Sequence, residues 1–185
     1  MKRIWTMSKL SRIILGFLLI IGVGCETESP FGPTYNVEEN LERDAKIIED
    51  FLATAEIDSL YRIHDPNGLV IIVQEEGEGN FPGEFRLVYN NYIGRLLDGS
   101  MFDTNLEDVA IENDIWDENR IYRIFQFTLG SQEAIQGFSI GFRNLRSGSK
   151  AVLIIPSPWA YRDQDRDGIP ADSILMFDVE FLGFE

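Results

Sequence analysis

From Pro66 to the last residue the chain is a succession of short β-branched and aromatic runs, each closed by glycine, proline or aspartate. That punctuation leaves room for short strands and very little helix, and it narrows the fold more than any other feature of the sequence. Leu69–Gln74 is a β-branched run, and Glu75–Gly83 is a polar, glycine-containing loop. Phe85, Leu87 and Tyr89 alternate into a strand that continues through Tyr92 to Leu97. Asp98-Gly99 then signals a hairpin, because glycine tolerates the positive φ such a turn needs. Tyr122–Leu129, Lys150–Ile155 and Ile174–Phe184 read as further strands, and Pro156–Ser173 as a long loop. Gly130-Ser131 opens a short helix through about Phe138, with Glu133 in its first turn. Several antiparallel strands with one short helix make an α+β domain.

Ahead of it, Asn36 stands three residues before Glu39, a start resembling a capping box. Leu41, Ala45, Ile48, Leu52 and Ala55 recur at helical spacing, which predicts a helix over about 37–55. Glu39–Arg43 and Glu42–Lys46 are expected as i,i+4 pairs on its opposite side. Such a helix packs on the main domain or spaces it from a membrane; a dimer contact is the other alternative. The lone His64, before Asp65-Pro66, reads as a loop residue without a role.

Composition excludes several function classes. Hydrophobic residues are 44% and charged residues 25%, a globular balance. With 31 acids against 16 bases the net charge is -15, which excludes a general nucleic-acid binder. One cysteine excludes a disulfide framework, and one histidine excludes a site built on several imidazoles. Residues 1–24 hold four bases and no acid, and Ile13–Gly24 is an uncharged, mostly apolar run of 12 residues. That is short of the roughly 20 residues a bilayer span needs, and fits a signal-peptide core. The run ends in Gly22-Val23-Gly24-Cys25. Small residues before the lone cysteine resemble a bacterial lipoprotein cleavage site, with Cys25 as the lipid attachment point. Gly22 stands where that pattern has a larger aliphatic residue, and ordinary signal cleavage is the alternative. Lipidation would anchor the chain in a bacterial cell envelope, periplasmic or surface-facing. Loss of residues 1–24 leaves 12 bases against 31 acids, a net charge of -19. A surface so acidic is repelled by anionic headgroups, so membrane attachment rests on the lipid. Residues 25–36, with two prolines and a glycine, read as a tether, 37–65 as a helix and linker, and 66–185 as the main domain.

Six blocks of that domain carry a resemblance. They are Tyr92-Ile93-Gly94 with Leu97-Asp98-Gly99 and Phe102-Asp103; Phe125–Gly130; Ala134–Phe138; Gly148–Pro156; Trp159-Ala160-Tyr161 with Gly168-Ile169-Pro170; and Leu175–Glu180. In this order they resemble the FKBP-type peptidyl-prolyl cis-trans isomerases over roughly residues 66–185. The resemblance implies a curled antiparallel sheet around one short helix. It implies an isomerase acting on proline-containing polypeptides, here assisting the folding of exported proteins. Tyr92, Phe102, Phe125, Phe138 and Phe177 would be the aromatic walls and floor of the pocket. Ile135 would supply apolar surface and a backbone N–H, Tyr161 a hydroxyl for a substrate carbonyl, and Asp103 a carboxylate at the rim. Ala134 and Ile169 would line the edge. Taken singly, each phenylalanine reads as core, Tyr161 as a loop tyrosine and Asp103 as a turn residue. Their joint placement in the ordered blocks is what assigns them.

The chemistry suits these residue types. The barrier to rotating a peptide bond is about 18–20 kcal/mol, because rotation breaks amide resonance. No bond is made or broken, so no nucleophile, metal or cofactor is required. The twisted amide has a less polar carbonyl, and an apolar, partly dry pocket favours it over the planar form. Three departures from the family stand out. The floor is Phe138 where tryptophan is frequent, and Arg162 follows the loop tyrosine where glycine is frequent. The segment of about 104–124, with six carboxylates, is longer than in minimal members. It reads as a solvated acidic loop, with a flap or a partner contact as alternatives. These departures leave a weakly catalytic or non-catalytic chaperone on the same fold as the second hypothesis. Separately, Asp163, Asp165 and Asp167 before Gly168 resemble the start of a calcium loop, with Asp172 as a further candidate. The EF-hand glutamate is missing, since Ile174 stands at that position, and a soluble turn is the alternative.

Overall fold

The computed structural model describes residues 34–185. The proposed signal peptide, Cys25 and most of the tether lie outside the described residues. Tyr35–Glu185 forms one compact unit.

Helix α1 is Val37–Leu52. The Asn36 side chain caps it by accepting the Glu39 N–H at 3.2 Å. Its far end stops at Leu52, three residues short of the expected Ala55. The expected i,i+4 pairs do not form; Lys46 pairs with Asp50 and Arg43 with its neighbour Asp44. Arg43 is drawn away because Asp44 is fully buried and needs a cation beside it.

Seven strands make one antiparallel sheet: β1 Tyr61–His64, β2 Val70–Glu75, β3 Leu87–Leu96, β4 Met101–Thr104, β5 Phe125–Thr128, β6 Lys150–Ile155 and β7 Leu175–Phe184. Their order is β1-β2-β6-β7-β3-β4, with β5 also on β3. His64 is the last residue of β1, paired with Val70, rather than a loop residue. β1 escapes a sequence reading because it is short and mostly exposed. Phe85 does not join β3; it sits in a turn at φ 59 and is 77% exposed. The Asp98-Gly99 hairpin forms as expected, with Gly99 at φ 91 and Asp98 accepting from Ser100. Residues 104–124 are not wholly loop, since they contain the short helix α2, Glu107–Glu112.

Two apolar layers flank the sheet. Ile71, Val73, Leu153, Ile155, Phe177 and Val179 point into the main core. Val70, Ile72, Val152 and Ile154 point the other way, under Ile48, Phe51 and Leu52 of α1. Central strands buried on both faces read as continuous apolar runs, which is why β2 and β6 show no alternation.

Helix α3 is Gln136–Arg143, later than the expected start at Gly130-Ser131. Residues 130–134 turn back instead. The Glu133 carboxylate accepts the Thr128 N–H at 2.7 Å and the Ser131 hydroxyl at 3.1 Å. The helix then runs past Gly137, where a side chain would stand 2.3 Å from Ile155 Cγ2. That glycine lets α3 sit close on β6, so what resembles a helix breaker is a packing device.

Candidate active site

The concave face of the sheet and the start of α3 enclose a cavity of ≈ 360 Å³. Tyr92, Phe102, Asp103, Phe125, Ala134, Ile135, Phe138, Tyr161 and Phe177 line it, together with Gln132 and Glu133. Nine of the ten pocket residues expected from the sequence are thus brought together. The tenth, Ile169, is buried in the main core and is not on the cavity wall. It is held there by paired backbone hydrogen bonds with Arg166.

The aromatic rings brace one another edge to face. Phe138 meets Phe177 at 4.7 Å and Tyr92 at 6.0 Å; Phe102 meets Phe177 at 5.5 Å; Phe125 meets Tyr92 at 5.3 Å. Such pairs add about 0.5–1.5 kcal/mol each beyond burial and hold the walls in place. Ile135 is the N-cap residue of α3, so its backbone faces the cavity before helical bonding begins. Within the described residues its N–H forms no hydrogen bond, and neither does the Tyr161 hydroxyl. Both residues line the cavity.

A polar cluster closes one side. The Tyr92 hydroxyl donates to Asp103 Oδ2 at 2.6 Å, and Arg120 donates to Asp103 Oδ1 and to the Tyr92 oxygen, the latter at 3.1 Å. Sequence reading missed Arg120, which comes from the acidic segment, 17 residues beyond Asp103. Only the Phe125 that follows marks it as close to the pocket in sequence. Asn105 fastens the base of the segment. Its Oδ1 accepts the Tyr92 N–H at 2.7 Å and its Nδ2 donates to the Arg123 carbonyl at 3.0 Å.

Burial first, then the Asp103 hydrogen bond and charge, push the Tyr92 hydroxyl far above the usual tyrosine range. Burial, then Asp103, also raise Tyr161. Both hydroxyls stay protonated in the fold where the unfolded chain releases its tyrosine protons, near 10.0. The unfolded state then binds fewer protons. The stability is fully present below about pH 10 and falls as pH rises toward the native values. Urea unfolding at about pH 8 and pH 11 is expected to show this loss, with a shallower fall in Tyr92→Phe.

Among the described residues no three His, Cys, Asp or Glu side chains come together to hold a metal ion. Asp165 Oδ1 instead accepts the Ala171 N–H at 2.8 Å, and Asp172 faces Arg43 at 3.9 Å.

Comparisons with known proteins agree with this geometry. Residues 79–182 match the family model described as FKBP-type peptidyl-prolyl cis-trans isomerase. The chain is 35% identical over 115 residues to the FKBP-type peptidyl-prolyl cis-trans isomerase FkpA of Escherichia coli, covering 62% of this chain and 37% of that protein. It is 31% identical over 118 residues to FK506-binding protein 4 of Saccharomyces cerevisiae, covering 64% and 26%. It therefore spans from about a quarter to little more than a third of these relatives. The crystal structure of FkpA from Escherichia coli superposes with a TM-score of 0.59 at 29% identity, covering 80% of this chain and 62% of that one. A peptidyl-prolyl cis-trans isomerase from Pseudomonas syringae pv. tomato shares the fold at a TM-score of 0.58 and 24% identity, over 83% and 99%. The curled antiparallel sheet, the aromatic cavity at the head of α3 and the match over more than half its length agree, and the chain belongs to the FKBP-type peptidyl-prolyl cis-trans isomerase family.

Proposed function

We propose that this protein catalyses cis-trans isomerisation of X–Pro bonds in polypeptides, in the cavity formed by Tyr92, Phe102, Asp103, Phe125, Ile135, Phe138, Tyr161 and Phe177. The observation that supports it most is the convergence of these residues on one aromatic cavity with two polar groups, the Ile135 N–H and the Tyr161 hydroxyl, that have no partner among the described residues. The proline ring enters the aromatic box. The Ile135 N–H and the Tyr161 hydroxyl hold carbonyls of the peptide on either side of the rotating bond. Asp103 and Arg120 hold the Tyr92 ring in place. The dry walls favour the twisted amide, whose carbonyl is less polar than the planar one, and this lowers the barrier. No electrons move between atoms, and no cofactor enters.

By the same proposal the protein assists the folding of exported polypeptides in a bacterial cell envelope, anchored through a lipid on Cys25. The apolar run ending at the lone cysteine supports the anchor. A Cys25→Ser variant that fractionates with the membrane as the native chain does would refute it.

The rate of isomerisation of a short X–Pro peptide tests the activity. Tyr161→Phe is expected to lower kcat/KM about tenfold, which corresponds to one well-placed hydrogen bond of about 1.4 kcal/mol. A folded chain that gives no acceleration refutes the reading.

One observation favours a second reading, a binding module or chaperone. Ile111, Trp116, Ile121 and Ile124 of the acidic segment are 55%, 47%, 79% and 47% exposed, in the same segment as Arg120, which reaches the Asp103 carboxylate. On that reading Tyr161→Phe suppresses client aggregation as well as the native chain does.

A further inference from the structure

We propose that helix α1, which precedes the segment matched to the family, is a positioning element of the active site. Its Asp44 holds the turn at Ser157 that presents Tyr161 to the cavity. This rests on the isomerase reading above for its catalytic consequence.

Asp44 and Ser157 are both fully buried. Asp44 Oδ2 accepts the Ser157 N–H at 2.7 Å. Its Oδ1 receives Nε and Nη2 of Arg43 at 2.9 and 2.7 Å. The Ser157 hydroxyl is 3.2 Å from the Tyr35 hydroxyl and accepts from Arg43 Nη2 at 3.1 Å. The Ser157 carbonyl accepts the N–H groups of Ala160 and Arg162, both at 3.0 Å. These two residues are the shoulders of Tyr161. Arg162 is itself in the left-handed region at φ 59, its guanidinium lies 5.8 Å over the Tyr35 ring, and its carbonyl accepts the Asp172 N–H at 2.6 Å.

One side-chain oxygen on α1 thus fixes the backbone node to which both shoulders of Tyr161 are bonded. Among the described residues the Tyr161 hydroxyl has no hydrogen-bond partner, so its aim depends on that backbone. Position 44 also asks for an explanation beyond packing. Burying a carboxylate costs several kcal/mol before its partners offset it. A helix that merely covered the sheet would place an apolar residue there, as it does at Ile48, Phe51 and Leu52. The carboxylate is accounted for if a fixed turn geometry is what it supplies.

The test is a double-mutant cycle in the full chain. Asp44→Ala is expected to lower kcat/KM for an X–Pro peptide about fivefold in the native background and by less than about twofold in Tyr161→Phe, because Asp44 acts through that hydroxyl. Asp44→Asn retains an acceptor oxygen for the Ser157 N–H and is expected to recover the rate to within about twofold of native. Amide exchange at Ala160 and Arg162 is expected to rise about tenfold in Asp44→Ala, with the β6 and β7 amides unchanged. An equal loss in both backgrounds overturns the proposal, as does a folded Asp44→Ala with native rate and native exchange. If Asp44→Ala does not fold, the near-isosteric Asp44→Leu, which removes the acceptor of the Ser157 N–H and fills its space, carries the same cycle, with the same expected loss in the native background alone. If the native chain is inactive on prolyl peptides, the isomerase reading fails by itself. The exchange measurement then decides alone whether Asp44 holds the turn.

Discussion

Phe177→Ala is expected to lower stability by about 3–5 kcal/mol and to abolish isomerisation by the molecules that stay folded. Phe177 is 4% exposed and sits on β7 between Gly94 of β3 and Leu153 of β6, at the middle of the sheet. Its ring touches Phe138, Phe102 and Tyr92 edge to face, so three walls of the cavity lose their common support at once. The truncation leaves a void that rigid neighbours fill only in part, which is why the loss exceeds the transfer free energy of the ring. Urea unfolding gives the stability, and the X–Pro rate in the absence of urea gives the activity. A loss below about 1 kcal/mol would mean that the ring is not a core contact.

The second large effect is expected from the smallest change. Gly94→Ala adds one methyl group in mid-strand β3. Its Cβ would stand 2.7 Å from Cε2 and Cζ of Phe102 and 2.9 Å from Cε1 of Phe177. Those distances are too short for carbon atoms, and the neighbours are rings rather than flexible tips. Both rings must shift, and both are cavity walls. The expected cost is about 1–3 kcal/mol of strain, with a fall in kcat/KM of about tenfold or more. Combining Gly94→Ala with Phe102→Leu makes room and should restore part of the stability. If Gly94→Ala alone leaves the rate unchanged, the wall geometry matters less than the aromatic character.

The sheet was legible because its strands obey simple rules. β6 coincides with the expected Lys150–Ile155, and the Asp98-Gly99 hairpin formed where glycine permits it. The start of α3 was not legible. Glu133 there has the look of a first-turn acid, yet its carboxylate turns back to the Thr128 N–H, and helix formation waits for Gln136. The site was legible from the ordered family blocks and not from any single aromatic residue. Arg120 escaped because only folding of the acidic segment carries it back to Asp103, and no local pattern encodes a contact 17 residues away. Asp44 escaped for the same reason, being an acid on a helix otherwise read for its apolar stripe.

What the sequence determined alone is the class of fold, most of the strand runs and the capped helix. These follow from periodicity, turn chemistry and residue type, all of which act over a few neighbouring residues. Only the tertiary structure decided which aromatics share one cavity and that Ile169 belongs to the core. It likewise decided that α1 reaches the turn of Tyr161. Those outcomes depend on long-range packing and on where each buried charge finds its partner, and such contacts close only when distant segments meet.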